Sequence, residues 1–252
     1  MGAVLLILLL LTIYTFLTMK ITGINVAKGF KDTFYNFFIM FTQPYSHRFT
    51  IGNALYEVFI TVGLAFLTTL FGAVIAVFLG LLSAQNLSSS YVSRSIKAVV
   101  SFIRAVPTVL WVLIFAVAAG LGSEAAVIGM TFHSVSYLTK AYSESFESLD
   151  KSVIEALKAS GANWWQIVFQ AVIPSSSTYM LSWTFMRFEI NFTNAVAMGA
   201  AAGAGGIGFD LFMASGYYFD LREVGLITYL ILAVAFILEI ISTKTKKKLM
   251  SC

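Results

Sequence analysis

The chain has 252 residues, of which 59% are hydrophobic and only 11% charged, and its mean hydropathy is +0.86. Soluble domains average roughly 45–50% apolar and 25% charged residues, so this composition excludes an ordinary soluble domain and defines an integral membrane protein. The net charge of +4 does not indicate nucleic acid, because four of the sixteen basic residues sit in the Lys244-Thr-Lys-Lys-Lys248 run beside an apolar stretch, where cytoplasmic anchoring accounts for them.

A membrane helix takes about 20 apolar residues. From the start, Ala3–Met19 is predicted as a retained first span, since Met1 to Met19 has no charge before Lys20 and lacks the basic start and cleavage site of a secretory signal. Next, Ala27, Phe30, Phe34, Phe37, Phe38 and Phe41 recur at helical spacing opposite Lys28, Lys31, Asp32 and Asn36. That pattern suits either an interfacial amphipathic helix or one packed on other spans. Val58–Leu82, Ala98–Leu121, Ala125–Ala141, Ser176–Val196 and Val224–Thr243 complete a prediction of six spans. Gly/Ala-rich 192–209 is read as the end of the fifth helix and a folded-back segment. With six spans, Arg94/Lys97, the Lys140 to Lys158 region and the Lys-rich tail share one face, which the positive-inside rule makes cytoplasmic. Lys20, Lys28, Lys31 and Arg48 then fall outside and weaken the bias. Cys252, the only cysteine, permits no intramolecular disulfide, and no metal site is expected.

Between the fourth and fifth spans lies a polar helical loop. Ser152-x-x-Glu155 has the form of a capping box. Gly161 permits a left-handed turn, and Pro174 lacks an NH as the start of a helix allows. Trp164 and Trp165 would face the membrane interface or a partner. The spacing Glu155-Ala156, then Gly161-Ala162, then Pro174 resembles the EAA loop of ATP-binding cassette importer permeases, whose pattern is Glu-Ala-Ala, three residues, Gly, nine residues, Ile-x-Leu-Pro. Leu157, Ala171 and Ile173 depart from it. The resemblance implies that about Lys151 to Gln170 sits in a groove of a separate ATPase subunit. The chain itself has no G-x-x-x-x-G-K-[ST] to cradle a nucleotide.

Gly203-Ala-Gly205-Gly206-Ile-Gly208 satisfies the dinucleotide pattern G-x-G-x-x-G, yet no βαβ unit surrounds it. Close helix packing and an external gate are the alternatives. Arg187 and Glu189 lie within the fifth span, where each ionised group costs at least ~2.5–3.5 kcal/mol. Two residues apart, they cannot pair along one helix. Arg187, Asn191 and Asn194 share a face, so Arg187 lines an anion path or is a buried strut, with Glu189 pairing, for example, with Arg104. His133 reads as a packing residue or a proton relay.

Arg104-Ala-Val-Pro107 before Trp111, Arg187-Phe-Glu-Ile-Asn191, Gly203 to Gly208 and Phe219-Asp-Leu-Arg-Glu223 are similar to the phosphonate branch of those permeases over about Leu55 to Lys248. This resemblance implies an all-α type I importer fold. Residues 1–54 would hold the first span and external segment, 55–248 the permease domain with its coupling loop at 143–174, and 249–252 the end of the tail. It further implies a second permease subunit, with a homodimer favoured, two ATPases carrying ATP and Mg, an external binding protein, and no covalent chemistry or cofactor in this chain. A bacterial inner membrane location with a cytoplasmic C-terminus follows. The expected cargo is phosphonate or a related phosphorus oxyanion. Translocation-path candidates are Arg187, Glu189, Asn191, Asn194, Gly205, Gly206 and Gly208. A standalone proton-coupled transporter using Glu189, His133 or Glu239 is the rival, and a nucleotide-dependent oxidoreductase rests only on the glycine pattern.

Overall fold

The computed structural model describes residues 2–19 and 25–250; Lys20 and Cys252, named above, lie outside them. All the regular structure described is helical. In chain order it comprises α1 (Gly2–Thr18), α2 (Val26–Thr42), α3 (Ile51–Ser83), α4 (Ser90–Ala105), α5 (Thr108–Ala119), α6 (Ser123–Glu147), α7 (Lys151–Ala159), α8 (Trp164–Ile167), α9 (Ile173–Ala202), α10 (Ile207–Phe212) and α11 (Leu221–Met250). Five-residue π-helical stretches, Val168–Val172 and Met213–Tyr217, follow α8 and α10.

The bundle is organised around α6, which packs against α3, α4, α5 and α9. Buried residues recur every fourth position on both central helices: Thr68, Gly72, Ala76 and Gly80 on α3, and Met130, Ser134, Leu138, Tyr142 and Phe146 on α6. Small residues on one helix let the backbones approach, the usual means of association where lipid offers no hydrophobic contrast. A Cβ on Gly72 would stand 2.7 Å from Cβ of Ser134. One apolar core joins Leu64, Val112, Met130, Phe192 and Met198 in the middle of the bundle. A second, around Leu81, Leu138, Phe146, Ile154 and Val172, ties the end of the bundle to the polar loop.

Among the described residues, α3 and α11 are long and apolar enough to cross a membrane alone, and two bent pairs, α4 with α5 and the α8–α9 run with α10, raise that number to four. α1 is apolar but shorter, and none of its residues is buried. α6, at 25 residues, has the length but a less apolar composition. Its polar groups point into protein rather than lipid, so Ser134, Ser136, Thr139 and Ser143 are all buried.

The expected third span, Ala98–Leu121, is not one helix. It breaks at Pro107, and α4 and α5 meet at 90°. Proline has no NH to give the carbonyl four residues earlier, that of Ile103. The Trp111 indole donates from Nε1 to Ile103 O at 3.0 Å, beside a longer bond from Val106 N at 3.4 Å, so Arg104 to Trp111 builds an elbow.

The aromatic face of α2 is largely exposed: Phe30, Phe34, Phe37 and Phe38 all lie above half exposure. Only its last turns pack, against α11. There Tyr229 donates its hydroxyl to Phe41 O at 2.7 Å and Gly225 sits under the Met40 carbonyl. At that end of the bundle Arg48 pairs with Asp220 and with the buried Glu223 and lies over the Tyr218 ring, binding the start of α3 to the start of α11.

Candidate functional site

The polar loop is a stiff two-helix peg at the end of the bundle where α3 and α6 finish. α7 begins after Asp150, whose carboxylate accepts from the backbone NH of Ser152 at 2.9 Å. That bond and one from the Ser152 side chain hold the Asp150 carboxyl below its ordinary range. The capping box expected at Ser152 and Glu155 is therefore not formed. The helix starts two residues earlier than that pattern requires, and the Asp150 carboxylate takes the cap. A capping box does occur one helix later, where Asn163 accepts from Gln166 N at 2.9 Å and Gln166 accepts from Asn163 N at 2.7 Å. Between the helices the chain turns at Gly161, φ +82°, closed by Ala162 N to Leu157 O at 3.0 Å.

The peg is fixed from beneath. Ile154 and Ile167 are each 3% exposed within the second apolar core. Trp164 donates from Nε1 to Leu87 O at 3.0 Å, fastening the peg to the turn between α3 and α4. Pro174 lies in the first turn of α9, directly after the π-helical stretch. The wider turn there accommodates a residue that cannot donate to the ladder. Glu155, Ala156, Gly161 and Pro174 are exposed and Ala162 is half-buried. Among the described residues Glu155 makes no side-chain hydrogen bond or ion pair, so the outward face of the peg is free to meet another surface.

Deep in the bundle, Arg187 is 1% exposed. Its Nε donates to Ser134 Oγ at 3.0 Å, its Nη2 lies 3.0 Å from His133 Nδ1, and the guanidinium stands over the Tyr137 ring at 5.1 Å. Asn191 donates to Thr69 Oγ1 at 2.8 Å and to Ser134 Oγ at 3.0 Å. One hydrogen-bonded cluster thus locks α9 to α3 and α6. Sequence spacing does not point to Ser134 and Thr69 as partners, since they lie 57 and 122 positions from Asn191. Ser134 stands in the fourfold buried row of α6, and Thr69 lies beside Thr68 in that of α3.

The suggested Glu189–Arg104 pair does not form. Arg104 is exposed at the end of α4, Glu189 is half-buried, and neither joins an ion pair among the described residues. Asn194 is half-buried one turn beyond Asn191, with no hydrogen bond into the cluster. His133 is bound to Arg187, and Glu239 is exposed on α11.

The glycine pattern forms the reversal between α9 and α10. Gly203, Gly205 and Gly206 all have positive φ, and a Cβ on Gly208 would stand 1.9 Å from Val196 O. Thr61 Oγ1 accepts from Ile207 N at 3.0 Å, seating the reversal on α3. The glycines serve close packing and leave no strand–turn–helix cradle for a dinucleotide.

The helical bundle thus combines an elbow, a capped peg and a buried polar cluster. The chain belongs to the family described as binding-protein-dependent transport system inner membrane component, which it matches over residues 76–245. It is 28% identical over 190 residues to the phosphate-import permease protein PhnE of Mycolicibacterium smegmatis, covering 75% of this chain and 35% of that protein. It is 32% identical over 151 residues to the phosphite transport system permease protein PtxC of Stutzerimonas stutzeri, covering 60% and 54%. The chain thus spans about a third to a half of these two relatives. Among solved structures, an inward-facing MetNI methionine ABC transporter chain superposes with TM-score 0.68 at 20% identity, over 78% of this chain and 95% of that one. A chain of a bacterial ABC transporter involved in alginate import gives 0.67 at 13% identity, over 97% and 95%. These two likenesses establish the fold.

Proposed function

We propose that this chain is the transmembrane subunit of an ATP-driven importer that carries phosphonate or a related phosphorus oxyanion into the cytoplasm. Two separate ATPase subunits drive it, an external binding protein feeds it, and a second permease subunit, most simply an identical one, completes the path. The observation that carries this reading is the peg: two capped helices seated on α3 and α6, with Glu155, Ala156 and Gly161 turned outward. Closure of the ATPases presses such a peg, and a rigid bundle converts that push into alternating access. Glu155, Ala156, Gly161, Ala162 and Pro174 are its coupling residues.

The names of the phosphate, phosphite and phosphonate relatives support the cargo class. Arg187 and Asn191, with Asn194 and Glu189 on the same helix, are the best candidates for the path, and Gly205, Gly206 and Gly208 for a gate at its opposite end. Arg48 joins the starts of α3 and α11, while α3 finishes beside the peg, which supports setting the Lys-rich tail on the cytoplasmic face. The exposed position of Glu239 disfavours a proton relay through it. Purification from the native membrane tests the assignment. The chain should bring down an ATPase, and proteoliposomes of the complex should take up phosphonate only with internal ATP and loaded binding protein. ATP-independent uptake by the chain alone contradicts it.

A further inference from the structure

We propose that the cleft between α3, α4 and α6, beside the peg, is a binding site for a phosphate-type oxyanion. Its volume is about 210 Å³, room for about seven waters at roughly 30 Å³ each. Lys97, Arg104 and Lys140 stand in its wall with Glu144 and Glu147. Both carboxylates are already engaged. Glu147 accepts from Lys97 Nζ and from the Gln85 backbone NH, each at 2.8 Å, and Glu144 pairs with Lys140 at 3.5 Å. Arg104 is left as the cation without a carboxylate in ion-pair reach among the described residues.

A second observation is independent of charge. Ser143, in the same wall, is 1% exposed and its hydroxyl has no hydrogen-bond partner. Helical serines commonly return the hydroxyl to the carbonyl four residues back, as Ser134 and Ser145 do here. Ser143 does not, so a buried donor waits at the wall. Ser101 adds another hydroxyl.

The ligand that satisfies these groups carries negative charge and several acceptor oxygens. Phosphate or a phosphomonoester meets the guanidinium with two oxygens and the hydroxyls with others. A neutral ligand would use the hydroxyls but not the charge of Arg104. The same chemistry is offered by a free anion and by a lipid headgroup. Through Glu147 the site also touches Gln85, two residues before the Leu87 carbonyl that holds Trp164.

Binding is measured without ATP or transport, so its outcome is independent of the import reading. The purified complex is placed in phosphatidylcholine nanodiscs for equilibrium dialysis with radiolabelled inorganic phosphate, and in discs containing phosphatidic acid for mass spectrometry of retained lipid. Arg104→Gln should weaken binding about tenfold or more, and Ser143→Ala about three- to tenfold, with the thermal midpoint unchanged. Phosphate retention lost in both variants identifies a free anion as the occupant. Phosphatidic acid retention with the same dependence identifies a lipid headgroup. Wild type and both variants behaving alike toward both probes overturns the proposal.

Discussion

A buried arginine usually keeps a carboxylate beside it, and the cost of breaking such a pair is the stranded charge. Arg187 has instead a serine, a histidine and a tyrosine ring, all neutral or neutralisable. Removing its charge therefore strands no acid among the described residues. Arg187→Gln should assemble with normal yield and a thermal midpoint within a few degrees of wild type, while uptake of an anionic cargo falls severalfold. Yield, melting and uptake measured on one preparation test this, and wild-type uptake contradicts a role in the path. The cost of Arg187 in a membrane is legible in the sequence, and so is its shared face with Asn191. Its partners are not, because serines and threonines are common in such helices and only the fold selects Ser134 and Thr69. Asp150 shows the converse. The Ser152/Glu155 pattern is a valid local signal, yet the Asp150 carboxylate two residues earlier takes the Ser152 NH that Glu155 would have needed, and with it the cap.

At the scale of elements, hydropathy located the apolar segments but not their shape. Ala98–Leu121 reads as continuous because its side chains are apolar across the break, whereas the backbone is interrupted by a missing NH at Pro107. Pro107 and Trp111, four residues apart, are one device: the proline withholds the α-helical donor from the Ile103 carbonyl, which takes the indole and a long bond from Val106 N instead. Trp111→Phe should preserve most of the packing against Phe132 but leave that carbonyl only its long bond from Val106 N, costing about 0.5–1.5 kcal/mol. Thermal unfolding in detergent should register the loss, and an unchanged midpoint would show that the elbow does not depend on that bond. α6 illustrates the opposite failure of hydropathy. Because it is enclosed by other helices, it tolerates serines and threonines that would be costly in lipid.

For the whole molecule, the proposed orientation sets the peg and the Lys-rich tail together on the cytoplasmic face. Cys252 is the only thiol in the chain. In intact cells it should resist an impermeant maleimide and react after permeabilisation; prompt labelling of intact cells reverses the orientation. The coupling of the peg to an ATPase is tested most directly at Gly161. A side chain there meets no atom of this chain within 4 Å, but φ of +82° is a conformation that L-residues adopt at a cost of roughly 1–2 kcal/mol. Gly161→Leu should thus leave the bundle intact and reshape only the turn between α7 and α8. The decisive measurement is the number of substrate molecules moved per ATP hydrolysed, in proteoliposomes of the wild-type and Gly161→Leu complexes. The account predicts that this ratio falls at least tenfold in the variant while the complex still assembles and hydrolyses ATP; a wild-type ratio contradicts it.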